Sequence, residues 1–145
     1  MTQVDFYVMT GGDVEDSFQV ACRLVEKAQQ KGSVYVHTAD ESQAHAMNEK
    51  LWSFRKDAFI PHQLMSASNA VCHEKVAIGY QLPPESHYDL MINLSLEVPN
   101  FHGRFARLLE VVPGEHDARE KCRQNYAYYR DRGYPLKKHD INPAS

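Results

Sequence analysis

Apolar positions along this chain fall into two alternating rhythms, short dense runs and stripes at helical spacing, and the alternation predicts an α/β domain. Residues 4–9 (VDFYVM) form a β-branched and aromatic run closed by Thr10-Gly11-Gly12, the pattern of a buried strand and its turn. Residues 13–30 then place Phe18, Ala21, Leu24, Val25 and Ala28 on one stripe, with Asp16 or Ser17 as cap and Gly32 as stop. A second strand is predicted at 33–37 (SVYVH). Thr38 and Glu41 have the spacing of a capping box, and the helix they open carries Ala44, Met47, Leu51 and Phe54 on its core side.

The second half continues the alternation with shorter elements. Phe59-Ile60 reads as a strand-like pair stopped by Pro61, 65–75 as polar and turn-like, and 76–78 as a short strand. Pro83-Pro84 excludes helix from 81–87. Residues 88–96 (YDLMINLSL) are the clearest buried strand, and Phe101, Phe105 and Leu108 suggest a short helix after Pro99. The last predicted strand is 109–112, closed by Pro113-Gly114, and the last helix runs over about 115–132 with Gly133 beyond its end. The expected fold is one three-layer α/β domain spanning 1–145, a mostly parallel sheet flanked by helices, Rossmann-like in its alternation.

Composition narrows the class. With 145 residues and 43% hydrophobic positions the chain can bury one real core. No run approaches the roughly eighteen apolar residues of a membrane span, and the start, MTQVDFYVMT, lacks the pattern of a secretory signal. A cytoplasmic location is expected. Cys22, Cys72 and Cys122 form no CxxC pair, so neither a disulfide framework nor a zinc knuckle is expected, and Cys22 sits in an apolar helical pattern.

The usual catalytic signatures are missing. Gly11-Gly12 stands where a phosphate loop would, yet no G-x-G-x-x-G or P-loop pattern surrounds it. No G-x-S-x-G elbow occurs, the eight histidines are scattered, and the Cys72-His73-Glu74 trio lacks outside ligands. Asp5 and Asp89 lie in predicted strands as isolated acids. No catalytic residue, cofactor or metal is expected, and the balance favours a binding module.

Charge then singles out the last helix. The net charge is −3, but residues 115–138 hold seven Lys/Arg against four Asp/Glu. A local basic element on an acidic chain suits one site for an acidic partner rather than general nucleic-acid coating. Arg119, Arg123, Tyr126 and Arg130 are spaced by four, three and four, which puts them on one helical stripe. The guanidinium fork grips carboxylates with two parallel hydrogen bonds, and Tyr is a common interface anchor. With Val112 as an apolar wall, the stripe suits a short peptide with a hydrophobic side chain and a free carboxylate. The pattern equally fits a solvated face laced by pairs such as Glu120 with Arg123. At least one of Tyr128 and Tyr129 is expected in the core.

Six segments taken together are similar to one known family: VDFYV, TADESQAHAMNEKLW, FIPH, YDLMINL, EVVP and AREKCRQNYAYYRDRGY. In order and spacing they resemble the chi subunit of bacterial DNA polymerase III holoenzyme, a clamp-loader-associated accessory subunit, over nearly the whole chain. Residues 65–87 depart most from that pattern. The resemblance implies a non-catalytic adaptor that links the psi subunit of the clamp loader to single-stranded DNA-binding protein. The acidic, carboxylate-ending tail of that protein would dock at the positions matching the family's pocket, Val112, Arg119, Arg123 and Tyr126, with Arg130 as a further contact. Where the family commonly has Lys, this chain has Arg119. The psi-facing positions are Trp52 and Phe59, which the residue pattern alone leaves open between core and interface. A helicase-type partner competing for that surface stays open, and contact with nucleic acid is implied to be mainly indirect. Two rival readings remain: a small nucleotide-binding α/β enzyme, with its ligand near Gly11-Gly12, and a direct binder of single-stranded nucleic acid.

Overall fold

The computed structural model describes residues 2–66 and 71–142. Within them, seven strands form one sheet in the order β3-β4-β2-β5-β6-β1-β7, and every strand pairing is parallel. The elements are β1 (Gln3–Met9), α1 (Val14–Ala28), β2 (Val34–His37), α2 (Glu41–Ser53), β3 (His62–Leu64), β4 (Val76–Gly79), β5 (Leu90–Asn93), β6 (Arg107–Val112), α3 (His116–Asp131) and β7 (Leu136–Ile141). Side chains alternate across the sheet, so it carries a core on each face. Val34, Val36, Ile78, Ile92, Leu109 and Val111 meet the apolar stripes of α1 and α2. Val4, Phe6, Tyr35, Met91, Leu108 and Val112 face the other way, toward α3 and the Phe101–Phe105 segment. This is the three-layer α/β arrangement expected from the alternation.

Several boundaries differ from the expectation, each for a local reason. α1 lies within the expected 13–30 but has a different cap: Gly12 turns the chain with φ +95°, and Asp13, not Asp16 or Ser17, caps the helix. Its carboxylate accepts from the Asp16 N–H, while Asp16 reaches back to the Asp13 N–H, both at 3.0 Å. α2 is capped by Asp40, which accepts from the Gln43 N–H at 2.8 Å, so the Thr38–Glu41 box does not form. Thr38 is fully buried and its hydroxyl donates instead to the Gly79 carbonyl. Phe59-Ile60 is not a strand; pairing begins only after Pro61, at β3.

β5 is shorter than 88–96: past Asn93 the chain turns, with the Asn93 side chain accepting from the Ser95 N–H at 3.0 Å and Leu96 at a left-handed φ of 64°. In place of a helix over 101–108 there is one 3-10 turn, His102–Arg104, and Leu108 belongs to β6, buried on the α3 side. Of the polar segment 65–75, residues 67–70 lie outside the described residues. β7 is the largest departure, since the last strand is not 109–112. LKKHDI has no apolar alternation because β7 lies at the sheet edge, half in solvent.

Candidate functional site

Two faces of α3 have different surroundings. Ala118, Asn125 and Tyr129 are buried against the sheet, so Tyr129 is the core tyrosine of its pair. Asn125 donates to the Leu96 carbonyl at 3.0 Å, and Tyr129 donates its hydroxyl hydrogen to Glu110 at 2.8 Å. Glu110 is fully buried and also accepts from Asn93 Nδ2, 3.1 Å from each carboxylate oxygen. Burial pushes its pKa up to about 7, with the hydrogen bonds from Asn93 and Tyr129 acting in the opposite sense. A lone acid in the apolar run LLEVV is the sequence signal of this anchor.

One step around the helix, the stripe Arg119, Arg123, Tyr126 and Arg130 borders a cleft of about 430 Å³ between α3 and β1. Its apolar surface comes from Phe6 and Val8 of β1 together with Cys122 and Tyr126 of α3. Phe6 packs on Tyr126 with ring centroids 5.4 Å apart. A fourth cation, Lys138, enters from β7, and among the described residues no acidic side chain lines the cleft. Lys138 could not be placed there from the sequence because its strand was not foreseen. Parallel pairing sets it opposite Phe6.

The cations are held differently. Arg119 is half-buried; its Nη2 donates to the Met9 carbonyl at 3.1 Å, and its Nε is buried without a hydrogen-bond partner. Arg123 has 68% of its side chain exposed and pairs with Glu120, the pairing the solvated-face reading expected. Arg130 and Lys138, also exposed, pair with Asp131 at 3.3 Å and Asp140 at 3.6 Å. Exposed pairs of this kind contribute at most about 1 kcal/mol, so a ligand carboxylate can replace the acid in them. Val112 is buried to 2% exposure and paired in register with Val8; the strand residues that give the cleft its apolar wall are Val8 and Phe6 instead.

A second surface lies at the opposite edge of the sheet. Trp52, at the end of α2, and Phe59, in the following loop, are 48% and 75% exposed. Their rings lie 5.7 Å apart, and Trp52 also packs on His62 of β3 at 4.1 Å. The rings are tilted on each other and open to solvent, an arrangement more common at partner surfaces than in cores. β3 and β7 are the two ends of the sheet, and four strands separate β3, beside this patch, from β1, which floors the basic cleft.

The crevice of the rival enzyme reading is filled by the chain itself. The Gly114 N–H donates to the Gly12 carbonyl at 3.0 Å, and a Cβ on Gly114 would stand 2.4 Å from the Gly11 Cα. Asp5 has a structural partner: burial pushes its pKa up, but hydrogen bonds from Arg107 (2.7 Å) and Gln3 outweigh this and hold it low. Asp89 ties two loops by accepting from the Ser33 N–H. All three cysteines are free thiols, and Cys22 is buried, its pKa pushed by burial up to about 12. Among the described residues no three His, Cys, Asp or Glu side chains cluster to hold a metal, and no helix is long and apolar enough to cross a membrane.

Comparison with known proteins adds to this geometry. Residues 1–137 match the family described as "DNA polymerase III chi subunit, HolC". The chain is 46% identical over 142 residues to DNA polymerase III subunit chi of Pseudomonas aeruginosa, covering 97% of this chain and 98% of that one. It is 26% identical to the Escherichia coli protein of the same name, covering 94% and 96%. Among solved structures it is similar to the C-terminal domain of the DEAD-box protein Dbp5, with TM-score 0.64, 15% identity, and 94% and 90% of the two chains covered. T4 UvsW matches with TM-score 0.67 and 7% identity over 98% of this chain and 42% of that one. At such identities the structural likeness is one of fold alone.

Proposed function

This chain belongs to the DNA polymerase III chi subunit family, and on that premise we propose that it is a non-catalytic adaptor of the bacterial replicase with two partner surfaces. The acidic C-terminal tail of single-stranded DNA-binding protein docks in the cleft beside α3, and the psi subunit of the clamp loader docks on Trp52 and Phe59. The observation that carries this reading is the cleft: four cations, an aromatic and aliphatic floor, and no lining acid among the described residues. The tail's terminal carboxylate pairs with Arg123 in the field of Arg119, while its apolar side chain packs on Tyr126, Phe6 and Val8. The aromatic patch and the cleft lie toward opposite sheet edges, which supports two separate docking surfaces.

Calorimetric titration with a synthetic tail peptide, at low and at physiological salt, tests the assignment. Saturable binding that weakens with salt and is lost on amidation of the terminal carboxylate supports it. Equal binding of the amidated peptide, or tighter binding of a bare oligonucleotide than of the peptide, sinks it.

A further inference from the structure

β7 has one side paired and one side open. The Val4 N–H donates to the Pro135 carbonyl at 3.0 Å and the Thr10 N–H donates to the Ile141 carbonyl at 2.8 Å. In a parallel ladder with this register, β1 takes up the backbone groups of Pro135, Lys137, His139 and Ile141. The N–H and C=O groups of Leu136, Lys138 and Asp140 therefore point outward, along the last strand of the sheet.

Both faces of this edge are hollowed. On the α3 face lies the basic cleft, to which Lys138 contributes. On the α1 face a second hollow of about 380 Å³ is lined by Tyr7, Val20, Leu24 and Ile141, with Arg23 and Asp140 of opposite charge at its wall. An added strand sends alternate side chains to opposite faces, so its residues would enter the two hollows in turn. Backbone bonds supply affinity in such strand addition and the alternate pockets supply specificity. Lysines on an edge strand usually discourage pairing with other chains. Lys137 and Lys138 do so for neutral or basic strands and attract an acidic one.

We propose that the outer edge of β7 is a strand-addition site for an acidic extended peptide, the segment that precedes the terminal carboxylate held in the cleft. This rests on the cleft reading above and extends it: the peptide leaves the cleft past Lys138 and runs on as an eighth strand. Continuity is the reason for this occupant, since Lys138 borders the cleft with its side chain and the open edge with its backbone.

Amide hydrogen exchange of the full chain, followed by NMR, separates the possibilities. The probes are two synthetic peptides with free carboxylates, a short one ending in an apolar residue and a longer one extended backward by aspartates. The longer peptide should slow exchange at Leu136, Lys138 and Asp140, while Lys137, His139 and Ile141 are already protected by β1. Asp140→Pro removes one outward donor together with a repulsive charge. Because both Asp140→Pro and Asp140→Asn free Lys138 of its partner, the comparison is between them. The proline variant should bind the longer peptide about three- to tenfold more weakly than the asparagine variant, the worth of a hydrogen bond, while the two bind the short peptide alike. Shifts at Arg119 and Tyr126 with unchanged exchange at the three outward amides overturn the strand-addition site and leave the cleft standing. Absence of shifts at the cleft overturns both.

Discussion

The ring of Phe6, in β1, lies 5.4 Å from the ring of Tyr126, in α3, at an interplanar angle of 54°. Phe6 is almost wholly buried and Tyr126 is not, so the pair joins the core to the open cleft. A rigid residue holds one that a ligand can touch, and the cleft floor is ordered before any peptide arrives. Pre-ordering of this kind lowers the entropy lost on binding.

Tyr126→Ala should therefore weaken tail-peptide binding by about 2 kcal/mol, the scale of an aromatic anchor at an interface. Tyr126→Phe, which keeps the ring on Phe6, should retain most of the affinity. Fluorescence anisotropy of a labelled peptide reads both; equal losses would mean that the hydroxyl, not the packed ring, is the contact.

Arg119 and Arg123 should not be equivalent. Arg119 is half-buried and held by the Met9 carbonyl, whereas Arg123 is largely exposed and already satisfied by Glu120. Arg119→Ala should cost about 2–4 kcal/mol of peptide affinity, as for a desolvated charge, and Arg123→Ala about 1 kcal/mol. The Arg123 effect should fade at high salt while most of the Arg119 effect persists. Titrations of both variants at two ionic strengths check the order.

Glu110 and His37 give opposing pH dependences. Burial keeps Glu110 protonated up to about pH 7, against an ordinary value of 4.5. Between those values the folded state binds more protons, so this group's contribution to stability falls as pH rises. Burial lowers His37 to about 4 from 6.5, so the folded state binds fewer protons in that window and stability rises with pH. The two slopes largely offset in the parent. Glu110→Gln leaves the His37 slope alone and should raise stability at neutral pH relative to acid by on the order of 3 kcal/mol. Urea denaturation of both proteins across the acid-to-neutral range measures this.

Phe59→Ala should leave folding stability within about 0.5 kcal/mol, because the ring is mostly in solvent. The same substitution should weaken capture of the psi subunit by more than about 1 kcal/mol, without altering tail-peptide binding at the far sheet edge. Thermal denaturation beside a psi binding assay tests it. A large loss of stability would make Phe59 a packing residue.

Much of this protein is legible in the sequence, where the physics is local. Helical periodicity alone puts Arg119, Arg123, Tyr126 and Arg130 on one stripe, since residues three and four apart share a helix face whatever surrounds them. The dense runs at 4–9 and 109–112 lie in strands because a parallel sheet buried on both faces needs apolar side chains at nearly every position. What the tertiary structure decided is everything that depends on strand order. Residues 6 and 138 meet only because β7 pairs with β1, and nothing near either position encodes that pairing. The same pairing makes Phe6 and Val8 line the cleft, while Val112, one strand inward, lies in the core. An edge strand with solvent on its flank carries no alternating signature, so β7, Lys138 and the outward backbone of Leu136, Lys138 and Asp140 stayed hidden until the sheet was assembled.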